Sequence, residues 1–422
     1  MSRPMKNSGI AWIGQVPRDW GQALIGSLYK VRNTKVSDKQ FEPLSVTMRG
    51  ILPQLENAAK TNDGDNRKLV RKGDFAINSR SDRRGACGIS NYDGSVSLIN
   101  LVLVPQNNMH PGYYNWLFHT SAFADEFYKW GHGIVDDLWT TRWQDMKNIT
   151  IPLPSLQEQQ RIAGYLDKKC AEIDTLSNNI QQQIDTLEQY KRAVITETVT
   201  KGLNPSAPMK DSGIPWIGKV PQHWDLNKLK YVTTKLERGT SPDYTDEELT
   251  RVVNQATFSR GFFNDKDIKF STKPAAGSRG LLKRYDVLLA STGGWVLGKT
   301  HFFDEVETYV ADGHVTIARA NEKKILSKLL YYLFFINFDT FNALMTKGST
   351  NQTELQSLDL ANMFIPVPPL SEQQQIIQVL DRHTQTIARA IHSKQQQLEK
   401  LEQYKKATIF EYVTGKKQVP EV

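Results

Sequence analysis

The stretch MKNSGIAWIGQVPRDW at residues 5–20 returns at residues 209–224 as MKDSGIPWIGKVPQHW, identical at 11 of 16 positions with an offset of 204. Self-similarity on this scale fixes architecture more firmly than local propensity does, because each copy must build the same structural unit. A second pair, IPLPSLQEQQRIAGYLD at 151–167 and IPVPPLSEQQQIIQVLD at 365–381, agrees at 10 of 17 positions, now offset by 214. A third, LEQYKRAVITETVT at 187–200 and LEQYKKATIFEYVT at 401–414, agrees at 10 of 14 with the same offset of 214. The second and third blocks keep their spacing, while the stretch ahead of them changes length. Each half is therefore a variable module followed by a length-locked one. The variable stretches, 21–150 and 225–364, share little beyond RKGD ending at Asp74 and KRYD ending at Asp286, each followed by apolar residues. One scaffold carrying two different surfaces is expected.

The length-locked module reads as a long helix. Leu166, Ile173, Ile180, Leu187 and Val194 recur every seven residues, with Leu176, Ile184 and Tyr190 between them, the pattern of a coiled-coil seam. Ser155 and Glu158 read as a capping box after Pro152 and Pro154, and Gly202 and Pro205 close the far end. About 45 residues at ~1.5 Å each give a rod near 70 Å. The second copy runs through Leu380, Ile387, Ile391, Leu398 and Leu401, with Lys394 as one polar position that sets register. A tandem repeat tends to a pseudo-twofold, and two long helices so related lie antiparallel, spacing the variable modules at opposite ends. The expected class is α/β (α+β), organised as a repeated segment 1–20, a first module 21–150, a central helical region 151–208, a second repeated segment with its module 209–364, and a terminal helical region 365–422.

Composition bounds the function. At 422 residues, 39% hydrophobic and 23% charged, the chain reads as globular with more than one core. Two cysteines, Cys87 and Cys170, build neither a disulfide framework nor a multi-thiolate zinc site. The first residues lack the apolar core of a signal peptide, and no apolar run is long enough to span a bilayer, the nearest being Leu329 to Ile336. A cytoplasmic protein without membrane contact is expected. The net charge of +8 favours a polyanionic partner, because cationic side chains displace counterions from phosphates.

A WIG-x-V-P-x-x-W segment, a variable module and IP-x-P-x-L-x-EQ opening a long helix, all present twice, resemble the specificity subunit of type I restriction-modification enzymes. Trp12-Ile13-Gly14, Val16-Pro17 and Trp20 are echoed by Trp216-Ile217-Gly218, Val220-Pro221 and Trp224, and the likeness covers the whole chain. The resemblance implies two target-recognition domains, each reading half of a split double-stranded DNA sequence, and helical regions that space them and dock two modification subunits. It implies a non-catalytic chain that binds no cofactor. S-adenosylmethionine belongs to the modification subunits, and ATP and Mg to the restriction subunits.

The residues themselves agree. No N-P-P-Y or D-P-P-Y loop and no H-E-x-x-H is present, and the eight histidines are scattered, His132 and His314 beside loop glycines. Gly293 to Thr300 (GGWVLGKT) does satisfy the phosphate-loop pattern, but the aromatic, β-branched HFFDEVETYV that follows is no helix start, so no dipole would meet a phosphate. The octet reads instead as a glycine-permitted approach to DNA, with Trp295 and Lys299 as contacts.

In the first module Arg67, Lys68, Arg71, Lys72, Arg80, Arg83 and Arg84 crowd together as a phosphate footprint. Its centre, Asn78-Ser79-Arg80-Ser81-Asp82-Arg83-Arg84-Gly85, holds the side chain types that read base edges. Arg49, Trp139 and Arg142 complete that set. In the second module the corresponding loop is Ser291-Thr292-Gly293-Gly294-Trp295, joined by Arg238, Thr240, Asn254, Arg260, Lys347, Asn351 and Gln352. Unlike loops imply unlike half-sites and an asymmetric target. The competing reading is a protein-interaction scaffold whose heptads bind partners and whose basic loops are incidental.

Overall fold

A computed structural model describes residues 3–54, 64–80, 83–106, 109–133, 139–344, 346–347 and 353–420. The chain divides into two compact units, Met1–Gln181 with Gln395–Val422, and Gln182–Lys394. Each unit thus contains one repeated segment, one variable module, the start of one long helix and the end of the other.

The two units are built alike. In the first, an antiparallel sheet has the strand order Cys87–Ile89, Phe75–Asn78, Asn100–Pro105, Tyr29–Val31. In the second the order is Thr300–Phe302, Val287–Ala290, Val315–Ala320, Thr233–Arg238, again antiparallel. The central strands FAIN and VLLA are buried along their whole length, which is why they read as unbroken apolar runs. A smaller sheet accompanies each: Gly94–Val96, Arg67–Val70 and Lys35–Val36 in the first, and a four-stranded one with a parallel pair, Thr250–Val253 with Tyr309–Ala311, in the second. The apolar run Leu329 to Ile336 lies in the core helix Ser327–Ile336.

The RKGD and KRYD motifs have one cause. Asp74 and Asp286 are buried, and each accepts a backbone N–H from three residues earlier, of Arg71 and Lys283, at 2.8 Å. Each also receives both arms of an arginine, Arg32 at 2.7 and 3.0 Å and Arg319 at 2.7 Å twice. The turn needs a left-handed residue before the aspartate, supplied by Gly73 (φ 92°) or, at some steric cost, Tyr285 (φ 73°).

The long helices run Leu156–Lys201 and Leu370–Val413, 46 and 44 residues. In the first unit the Tyr165 and Tyr412 rings meet at 4.5 Å, tilted by 39°, and Lys405 reaches Asp174 at 2.6 Å, so the numbers rise in one helix as they fall in the other. The second unit repeats this antiparallel sense, with Lys394 donating to Gln183 and Ile195 and Val199 sharing a core with Ile376 and Leu380. Burial corrects the expected seam. Leu166, Ile173, Ile180, Leu380, Ile387 and Ile391 are buried, but Leu187, Val194, Leu398 and Leu401 are half-exposed and Leu176 and Tyr190 exposed. Buried Ile162, Ile173, Ile184 and Ile195 are spaced by eleven, and in the second helix buried Ile376, Ile387 and Ile409 keep that spacing, with half-exposed Leu398 on the same line. A helix of 3.6 residues per turn drifts off a seven-residue repeat by ~20° each time, whereas eleven residues nearly close three turns.

The repeated EQ of the helix starts is structural, and the capping box is only half made. Ser155 Oγ accepts the Glu158 N–H at 3.3 Å, but the Glu158 carboxylate takes the Trp20 indole N–H at 2.8 Å and pairs with Arg3. Glu372 accepts from Trp224 at 3.0 Å in the same way, so each repeated tryptophan is tied to the first turn of a long helix. The glutamines that follow, Gln159 and Gln373, are buried. Gln159 accepts the His110 N–H at 2.8 Å and donates to the Pro154 carbonyl at 2.9 Å.

His301 lies between Phe258 and Phe263, its ring 6.0 and 5.4 Å from theirs. Burial, with Lys328 nearby, lowers its pKa from the ordinary 6.5 to about 4. The unfolded chain then takes up this proton first as pH falls, so the neutral ring's contribution is complete above 6.5 and is lost toward 4. Acidification across that window should cost the second unit about 3 kcal/mol through this group. His301→Gln should flatten the pH dependence of urea unfolding there; an unchanged slope would refute the linkage.

Candidate nucleic-acid interface

The loop that leaves each buried central strand is bridged to the segment preceding the long helix. In the first module Arg80 bridges to Thr140, the Thr141 N–H donates to the Ser79 carbonyl at 3.0 Å, and the Tyr128 hydroxyl donates to the Arg80 carbonyl at 2.8 Å. Trp139 donates its indole N–H to the Tyr128 carbonyl at 2.8 Å, and the Arg84 guanidinium lies 5.4 Å over the Tyr128 ring while pairing with Asp125. Arg80, Arg84, Trp139 and Arg142 are thereby gathered around the end of the helix Ser121–Lys129. Tyr128 organises this corner, and only its place at a helix end, invisible to motif reading, could have marked it.

The second module uses the same bridge with different side chains. Thr292 bridges to Glu354, the Leu355 N–H donates to the Ser291 carbonyl at 2.9 Å, and Arg238 grips the Leu355 carbonyl at 3.1 Å and Glu354 at 3.3 Å. Gly239 follows because a Cβ there would collide with the Ala311 and Asp312 carbonyls. Beside the loop lies a recess of about 570 Å³ lined by Tyr244, Gln255, Asp312 and His314 among others. His314 Nδ1 is 2.8 Å from the Thr292 hydroxyl, and burial raises the pKa of Asp312. In the sequence His314 is marked only by the glycine beside it; its tie to Thr292 comes from a strand pairing that spacing does not reveal.

The expected contact residues separate by exposure. Arg49, Lys72, Arg83, Arg84, Arg142, Arg260, Trp295 and Lys299 are exposed, with Trp295 at 95%. Arg80, Trp139, Arg238, Thr240 and Asn254 are partly covered. Four need correction: Asn78, Ser79, Ser291 and Thr292 are buried, because they end the central strands and spend their polar atoms there. Asn78 accepts the Arg80 N–H at 2.9 Å, and Ser291 Oγ lies 2.5 Å from the Thr316 hydroxyl. Asn254 caps a short helix through the Ala256 and Thr257 amides, and Arg260 pairs with Asp267.

The expected cationic cluster also divides. Arg67 is buried against Ser95 at 2.8 Å, and Lys72 lies at the other end of the strand Phe75–Asn78 from Arg80, its N–H on Asp93. Arg49 tips the hairpin Leu44–Thr47/Gly50–Pro53, which packs its Gly50 against Gly88. Of Lys347 only the backbone is described; Ser81, Asp82, Asn351 and Gln352 lie outside the described residues. The phosphate-loop octet is followed by the strand Thr300–Phe302, and Gly293 and Gly298 serve its turns at φ 84° and 87°. Gly298 also passes close to Phe338, an internal reason for the glycine. Among the described residues no cluster of three or more His, Cys, Asp or Glu could hold a metal ion, and no helix is long and apolar enough to cross a membrane.

The family described as type I restriction modification DNA specificity domain matches residues 17–186 and 221–403, one match in each half of the repeat. The chain belongs to that family. The relatives it matches are named specificity subunits of type I restriction enzymes. The MjaVIII specificity subunit of Methanocaldococcus jannaschii is 26% identical over 65% of this chain and 63% of its own length, so that match spans less than two thirds of the relative. A putative MjaX specificity subunit from the same organism is 23% identical over 96% of both chains. A solved chain from work on assembly and conformational transition of the type I R-M system aligns over 95% of this chain and 99% of that one, with TM-score 0.71 and 16% identity, a likeness of fold.

Proposed function

We propose that this specificity-family chain reads a bipartite, asymmetric double-stranded DNA target through two recognition domains, 21–150 and the module within 209–364, and recruits modification and restriction subunits in the cytoplasm. One observation carries the reading: the same bridged loop occurs in both modules with unlike exposed groups, Arg83, Arg84 and Arg142 in one and Trp295 and Lys299 in the other. Cations hold phosphates, and arginine reads guanine edges, so different sets on one frame select different half-sites. In this reading the chain itself holds no cofactor. S-adenosylmethionine sits on the modification subunits and ATP with Mg on the restriction subunits.

Recruitment of two like subunits is supported by the long helices. Glu188, Gln189 and Tyr190 are exposed and identical to the exposed Glu402, Gln403 and Tyr404, an identity that packing of their own helices does not require. Two copies of one surface fit two copies of one partner.

The test is adenine methylation by the chain reconstituted with its modification subunit. Arg80→Ala with Arg83→Ala should relax the bases accepted in one half-site only, by about 1–3 kcal/mol per lost bidentate contact, leaving the other half-site unchanged. Lengthening the central spacer of the target by one or two base pairs should abolish methylation. Equal methylation of scrambled and authentic sequences would instead favour a scaffold that does not read DNA.

A further inference from the structure

We propose that the second unit carries a binding site for a phosphate-bearing nucleotide, in a cavity of about 660 Å³ walled by Lys191, Arg192, Arg260, Lys299, Phe335 and Phe338. The site shares Arg260 and Lys299 with the recognition reading but needs no base readout, and it needs no helix after the glycine-rich octet, which a strand follows.

The chain's own repeat supplies the argument. Lys191 and Lys405 are equivalent lysines of the LEQYK block, offset by 214. In the first unit Lys405 is neutralised by Asp174, which holds its ammonium at 2.6 and 2.8 Å. The residue at the position equivalent to Asp174 is Ala388, which is exposed and lines the adjoining groove with Lys191. Lys191 is left with Glu188 at 3.8 Å, and its ammonium lies 5.5 Å from the Phe335 ring. Lys299 has no carboxylate within ion-pair distance among the described residues and rests 5.2 Å from the Phe338 ring. The His301 ring also reaches this cavity, and neither of its nitrogens has a hydrogen-bond partner among the described residues.

Glu188 also lines the cavity, and Arg192 and Arg260 are paired with Asp339 and Asp267, so the charge open to a ligand is that of Lys299 and of Lys191, each beside a phenylalanine ring. A concave, low-dielectric wall concentrates the field of like charges and draws an anion in. Aromatic faces accept a planar base by stacking, while ammonium and guanidinium groups take phosphate oxygens in charge-assisted bonds. A nucleotide has both parts. The same chemistry is presented by a free nucleotide and by a nucleotide of a DNA strand, which the two probes below separate.

ATP is titrated by equilibrium dialysis, and a labelled single-stranded 12-mer by fluorescence anisotropy, against the full chain and three variants. Lys191→Ala and Ala388→Asp should each weaken binding by about tenfold or more, the second by restoring the pairing that the first unit has while keeping every cation. Lys405→Ala, at the equivalent but neutralised lysine, should change nothing. Weakened ATP binding assigns a free nucleotide; weakened binding of the 12-mer alone assigns a strand. If neither probe binds at millimolar concentration, or if Ala388→Asp has no effect, the site is refuted. Sequence-specific methylation is scored in parallel, so loss of nucleotide binding and loss of target reading remain distinct results.

Discussion

Replacing Asp286 with alanine should destabilise the second unit by about 3–5 kcal/mol, the largest single effect expected in the chain. Asp286 is 1% exposed and holds Arg319 through two bonds of 2.7 Å, so its removal strands a largely covered guanidinium and also orphans the Lys283 amide. For a unit of this size each kcal/mol moves the melting midpoint by ~2–4 °C, so a fall of roughly 10 °C is expected in calorimetry. The decisive comparison is the double replacement Asp286→Leu with Arg319→Met. Removing both charges together should recover most of the loss, because an apolar pair of similar volume replaces a costly buried ion pair. If the double variant is as unstable as the single one, the cost lies in packing and not in a stranded charge. Asp74→Ala should act likewise on the first unit through Arg32.

The second large effect is at Gln373. Its amide accepts the Leu326 N–H at 2.8 Å and donates to the Lys324 and Pro368 carbonyls, each at 2.8 Å. Gln373→Leu keeps the volume and deletes three bonds at a fully buried position, an expected loss of about 2–4 kcal/mol. Gln159→Leu, which deletes two, should cost less. Urea unfolding followed by hydrogen exchange at the amides near Leu326 checks both the size and the place of the effect. Equal losses at the two glutamines would mean that the bonds do not set the cost.

These residues show what the sequence could and could not reveal. The duplication, the variable and locked modules and the extent of the long helices were legible because identity between copies needs no knowledge of contacts. The exact stripe that is covered was not. Leu166, Ile173 and Ile180 fit a period of seven and of burial alike, but Leu187 and Val194 yield to Ile184 and Ile195 because the partner helix, not the pattern, chooses which flank is covered. At the candidate interface, Arg83, Arg84, Trp295 and Lys299 stand where loop composition placed them. Asn78, Ser79, Ser291 and Thr292 do not, because a polar residue ending a buried strand looks in sequence like the first residue of a loop. The partners that organise those loops, Tyr128, Glu354 and His314, are far away along the chain, and only the sheet order brings them close.

The division of the chain also sets a schedule for its synthesis. The second unit is one uninterrupted stretch, whereas the first must wait for Ile409, Tyr412 and Val413, whose carbonyl takes the Tyr113 hydroxyl at 2.7 Å. At ~5–20 residues per second the ribosome needs roughly 10–45 s to make the intervening stretch, residues 182–394. The unit that holds residues 1–181 is thus begun before the second unit and completed after it, its apolar cleft uncovered until the helix Leu370–Val413 emerges.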